Sequence, residues 1–168
     1  MTTVVVDIKN KKAYSDSRVT IESFLTGQTI YEKTKDKIVK HRNKKSLCVL
    51  TGNVALIKTK LKGTGFKKAF KSAGGSYLSG DSCHIILLQK TNKVATVVTG
   101  VVVGGKVKWE YRTYSDQYIY AGSGSGTKEA KKISRYIASG IKLPFESIVK
   151  AASLTDKYTD NYIRKVFL

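Results

Sequence analysis

Residues Thr2 to Lys9 and Lys12 to Ile21 alternate or run apolar with β-branched side chains, and only Asn10 and Lys11 separate them. Two such runs joined by so short a turn specify a hairpin at the start of the chain. The second run carries one acid, Asp16. A buried carboxylate without a partner is costly, so a cation must meet Asp16 from elsewhere in the sequence.

The other chemical feature of this stretch is its first threonine. Removal of Met1, which the small side chain of Thr2 permits, leaves a residue with both a hydroxyl and a free α-amine. A threonine hydroxyl is a weak nucleophile that needs a base within hydrogen-bond reach, and an amine with a pKa of about 7.7–8.0 supplies one near neutral pH. A lysine beside the amine lowers its pKa by charge repulsion, and a buried aspartate holds the lysine.

The rest of the chain reads as one domain, 1–168, long enough to bury roughly two thirds of its unfolded surface. Glu22 to Gly27 reads as a loop, and a second pair of strands follows at Gln28 to Tyr31 and Lys37 to Arg42, then Ser46 to Leu50. From Asn53 to about Ala73 the apolar spacing predicts an amphipathic helix with a lysine-rich outer face, interrupted at Gly63-Thr64-Gly65. His84 to Gln89, Val94 to Val103, Lys106 to Tyr114 and Gln117 to Ala121 read as strands, with Gly104-Gly105 as a hairpin turn. In the third of these, Val107, Trp109, Tyr111 and Thr113 are expected to face inward; their interleaving with basic residues also suits a single-strand nucleic-acid platform. Helices are expected at Thr127 to Ser139, with Ala130, Ile133 and Ile137 on one face, and at Pro144 to Lys157, burying Ile148, Val149 and Ala152; Asn161 to Leu168 closes the order as a strand.

Charge bears on partners more than on fold. The chain has 31 Lys and Arg against 12 Asp and Glu, a net charge of +19, which implies an anionic partner or a wall that faces one. Lysine outnumbers arginine, which favours non-specific attraction to phosphates or carboxylates over base reading. Cys48, Cys83, His41 and His84 have no metal-ligand spacing, so no metal and no cofactor are expected, and the cysteines read as buried thiols in a reducing compartment. Val4 to Val6 is interrupted by Asp7 and no apolar run reaches the roughly 18 residues of a membrane span, so a cytoplasmic protein without membrane partners is expected.

Four ordered pieces resemble one family. The opening T-T-V-V-V-D-I-K with A-Y-S-D-S-R-V-T, Lys37-Ile38-Val39-Lys40, Cys48-Val49-Leu50-Thr51-Gly52-Asn53, and Ile119-Tyr120-Ala121-Gly122-Ser123-Gly124-Ser125 are similar to segments of proteasome β-subunits and the HslV-type bacterial peptidase. The resemblance implies an α+β fold, the αββα sandwich of N-terminal-nucleophile hydrolases, with two stacked, mainly antiparallel sheets between helix layers. It implies Thr2 as nucleophile, Asp16 holding the catalytic lysine, and Lys37 as that lysine, with Lys33, Lys35 and Lys40 as neighbours that a register shift would substitute. It implies a backbone N–H of Gly52 for the oxyanion, Ser123 near the threonine amine, and Ser125 as the second serine of its motif. Asp156 and Thr159 stand where the family has D-x-x-S-G, with threonine for serine and no glycine.

Two functions follow from these features. The first is a threonine-type endopeptidase that cleaves polypeptides inside a self-compartmentalised homo-oligomeric ring, hexameric or heptameric and stackable, fed by an ATPase unfoldase. The second is a catalytically inactive proteasome-like protein, structural or nucleic-acid-binding, whose +19 charge is the working feature.

Overall fold

The structure is a computed structural model that describes residues 3–22, 26, 28–33, 37–66, 76–115, 119–123, 127–156, 159–160 and 162–168. Within them the order is β1 (Val4–Asp7), β2 (Lys12–Ser15), β3 (Arg18–Glu22), β4 (Thr29–Lys33), β5 (Ile38–Lys40), β6 (Ser46–Gly52), α1 (Val54–Leu61), β7 (Ser82–Gln89), β8 (Ala95–Val103), β9 (Lys106–Tyr114), β10 (Ile119–Ser123), α2 (Thr127–Ala138), α3 (Glu146–Thr155) and β11 (Arg164–Phe167).

The opening hairpin forms as the alternation predicts, with Val4 opposite Ser15 and Asp7 opposite Lys12. Its turn is closed by the Asp7 carboxylate, which accepts from the Asn10 backbone at 2.9 Å and from the Asn10 amide at 2.8 Å. Strands β10, β1, β2 and β11 make one sheet, and β5 to β9 make a second in chain order. Every pairing among the described strands is antiparallel.

Side-chain alternation sorts the core into three layers. Val4, Val6, Ile8 and Ala13 of the first sheet meet Ile38, Leu47, Val49, Ile86, Leu88 and Val97 of the second, so the two sheets face each other. The opposite face of the second sheet, through Val39, Leu50, Ile85, Val98 and Val102, packs on Leu56 and Ile57 of α1. The opposite face of the first, through Val5 and Tyr14, packs on Ala130 of α2 and on Ile148 and Val149 of α3. The architecture is therefore mixed α+β, with helices on the outer faces of two antiparallel sheets.

Several expectations need correction. The run expected from Lys12 to Ile21 breaks at Asp16 and Ser17, because carboxylates take the backbone donors that a ladder would use. Ser17 N–H goes to Asp160 and Arg18 N–H to Asp16, at 2.9 and 3.1 Å. The chain then leaves the first sheet, and β3 pairs with β4 in a separate two-stranded ribbon. Strand β5 pairs forward with β6 instead of with its predecessor. Helix α1 ends at Leu61, before the glycines, where Gly63 and Gly65 adopt φ of 78° and 81°; residues 67–73 of the expected helix lie outside the described residues. Tyr111 and Thr113, expected to face inward, are exposed, since the apolar side chains of the short α1 cover β9 only as far as Val107 and Trp109 and only Lys60 reaches Tyr111.

Gly104-Gly105 forms the β8–β9 turn with both φ values positive, at 57° and 74°. The apolar faces expected for α2 and α3 are the ones that pack, with Ala130, Ile148, Val149 and Ala152 buried and Ile133 and Ile137 half-buried. No helix among the described residues is long and apolar enough to cross a membrane.

Candidate active site

One end of the facing sheets collects the start of β1, the end of β2, the start of β5, the end of β6 and the residues after α3. Asp16 lies just past β2 and is fully buried. Its Oδ1 accepts the Thr3 N–H at 3.0 Å, its Oδ2 accepts the Arg18 N–H at 3.1 Å, and its own N–H reaches back to the Thr3 carbonyl at 3.3 Å. Those bonds tie the carboxylate to the residue that follows Thr2.

Lys37 enters from the start of β5, held because its carbonyl accepts the Leu50 N–H of β6 at 2.8 Å. Its side chain is 2% exposed, and Nζ lies 3.0 Å from Asp16 Oδ2. The Arg18 carbonyl accepts a second hydrogen bond from Nζ. Burial pushes the Lys37 ammonium below the ordinary lysine value and the Asp16 carboxyl above the ordinary carboxylate value, each opposed by the charge of the other. Of the other lysines considered for this place, Lys40 is exposed; Lys35 and the Lys33 side chain lie outside the described residues.

A hydroxyl chain closes the other side. Thr3 Oγ1 and Thr159 Oγ1 are 2.7 Å apart, and Thr159 donates to Asp156 Oδ2 at 2.5 Å. Since the Thr159 proton is given to Asp156, Thr3 is the donor to Thr159. Asp156 is the C-cap of α3, so the end of that helix is joined to the start of β1.

Asp160 is a member of this cluster that motif matching passed over. It is buried and accepts from Ser17 N at 2.9 Å and Ser17 Oγ at 2.8 Å. A second acid directly after Thr159, in a chain with 12 acids against 31 bases, was the signal that could have marked it.

Gly52 ends β6 at the same end of the sheet, exposed, with φ of +91°. Asn53 follows as the N-cap of α1, its Oδ1 accepting from Ala55 and Leu56 N–H at 2.9 and 3.2 Å. Gly52 is required here, because an added Cβ would lie 2.4 Å from the Ser82 carbonyl oxygen and 2.6 Å from Cys83 Cα. A Gly52→Ala protein is expected to lose on the order of 2 to 4 kcal/mol of stability, measured by urea unfolding, from the left-handed backbone and the clash together.

In β10, Ser123 sits opposite Val4 across a bulge that skips one residue between Ala121 and Ser123, which sets the strand's end beside the start of β1. The Ser123 side chain, Ser125 and Thr2 lie outside the described residues. The sites thus brought together are Asp16, Lys37, Thr159 and Asp156, joined by Thr3 and Asp160, with Gly52 and the Ser123 backbone at the same end. Among the described residues no cluster of three or more His, Cys, Asp or Glu could hold a metal ion. Cys48 and Cys83 are separate buried thiols, Cys83 pushed up to about 11 by burial.

No protein-family model matches the chain, and no curated protein matches its sequence.

Proposed function

We propose that the chain is a threonine peptidase of the N-terminal-nucleophile hydrolase type, one domain with the αββα sandwich of that class. The observation that carries this reading is the buried Lys37–Asp16 pair, whose carboxylate also holds the Thr3 N–H, one peptide bond from Thr2. A buried ion pair of this kind adds little net stability, and titratable groups shifted by burial and a charge partner cluster at catalytic sites. Held there, the ammonium disfavours protonation of a nearby α-amine and keeps it a base at neutral pH.

In the proposed reaction Thr2 Oγ attacks the scissile carbonyl carbon while its proton passes to the α-amine. The oxyanion is stabilised by the Gly52 amide at the N-terminal end of α1. The C–N bond then breaks and the amine returns the proton to the leaving nitrogen. Water, deprotonated by the same amine, cleaves the ester and restores Thr2. The family resemblance extends the proposal to polypeptide substrates, a homo-oligomeric ring and an ATPase unfoldase.

Intact mass spectrometry before and after treatment with a peptide epoxyketone tests it, since that group needs a hydroxyl and a free amine on one residue. Loss of Met1 and a single adduct on Thr2 is the expected result. Retained Met1 without adduct would overturn the reading in favour of a non-catalytic protein whose positive charge does the binding.

A further inference from the structure

A cavity of about 370 Å³ opens between β5 with its following turn and the edge strand β11. Lys40, Arg42, Lys44 and Arg164 line it over an apolar floor that includes Ile38 and Val166, and among the described residues no acidic side chain does. None of the four cations takes part in the ion pairs found among the described residues. Among the described residues Arg164 Nη1, enclosed by protein, has no hydrogen-bond partner.

The charge of this lining favours an anionic partner. A ligand in the pocket does not reach that enclosed nitrogen, but the cations that line the pocket repel one another, and an anion among them relieves the repulsion. His41 does not relieve this, because its Nε2 is bonded to the Thr64 carbonyl at 3.0 Å and its Nδ1 accepts from Asn43 N–H at 3.2 Å. Lys44 holds a left-handed φ of 57°, where glycine would be cheaper, in the turn that carries Arg42.

We infer that this cavity binds a phosphate monoester of nucleotide size. A dianionic phosphate answers the charge, and the planar fork of Arg164 suits its oxygens. The volume exceeds what a bare oxyanion fills, and the apolar floor offers a surface for a base or other flat group. The site is separate from the candidate active site, although both its walls lead there: β5 follows Lys37, and Arg164 lies opposite Ser15, next to Asp16.

The test is calorimetric titration of the full chain with AMP, with inorganic phosphate, and with sodium acetate at matched ionic strength. Wild type is expected to bind AMP more tightly than phosphate and to show no heat with acetate. Arg164→Gln should weaken AMP by about 10- to 100-fold, the effect of losing hydrogen bonds to a charged group. Lys44→Gly removes a charge while easing the backbone, so it should fold at least as well as wild type and still bind AMP several-fold more weakly. Equal AMP binding by wild type and both variants, or no binding by wild type, would overturn the inference. So would a single-stranded oligonucleotide that binds through Arg164 while AMP does not, which would give the pocket to a nucleic-acid backbone.

Discussion

A Thr2→Ala protein is expected to lose peptide hydrolysis by at least about 10⁴-fold in kcat, because the substitution removes the attacking oxygen and nothing else in the proposed unit. Alanine at position 2 is small enough to let Met1 leave, so the α-amine and its surroundings persist and the loss reports on the hydroxyl alone. Thr2→Ser should retain measurable activity, since it keeps both groups. Thr3→Ala serves as the contrasting case. It breaks the Thr3–Thr159 hydroxyl contact at 2.7 Å but leaves the Thr3 N–H on Asp16, so its effect should be smaller by orders of magnitude. Full activity of purified Thr2→Ala on a fluorogenic peptide would end the peptidase reading.

Breaking the buried pair from one side should cost about 3–5 kcal/mol of stability, whereas removing both charges should be neutral or stabilising. Asp16→Asn leaves the Lys37 ammonium buried without its counter-charge, and its folded-state pKa falls further below the ordinary lysine value. The sign of the pH dependence follows from that direction. A lysine whose folded pKa is depressed binds fewer protons folded than unfolded between the two values, so stability rises with pH across that window. The Asp16→Asn penalty should therefore be greatest at neutral pH and shrink as pH approaches about 10.5, the ordinary lysine value. Urea unfolding at pH 7 and pH 10 measures it. The double variant Asp16→Asn/Lys37→Met should show no such recovery, match or exceed wild type in stability at pH 7, and be inactive. A double variant as unstable as Asp16→Asn would show that the pair holds the fold together, and its proposed catalytic use would lose its main support.

What could be read without coordinates was mostly local. Alternation over Val4–Asp7 and Lys12–Ser15 set the opening hairpin, and helical spacing marked the buried faces of α2 and α3. Where the reading failed, side-chain chemistry had overridden propensity. Asp16 and Asp160 took the amides of Arg18 and Ser17, splitting one expected strand into β2 and β3.

The residue types and their order therefore determined the opening hairpin, the packed faces of α2 and α3, a lone acid that needed a cation, and a hydroxyl-bearing residue at position 2. Tertiary structure decided which cation met that acid, since Lys37 is 21 positions away and other lysines stand close to it in sequence. It also decided that Thr159, 156 positions from Thr3, would share a hydrogen bond with it, and that Arg164 would line a pocket with Lys40, Arg42 and Lys44. Local patterns encode which face of an element is apolar. Stacking those faces fixes which distant side chains converge, and no short window of sequence contains that information.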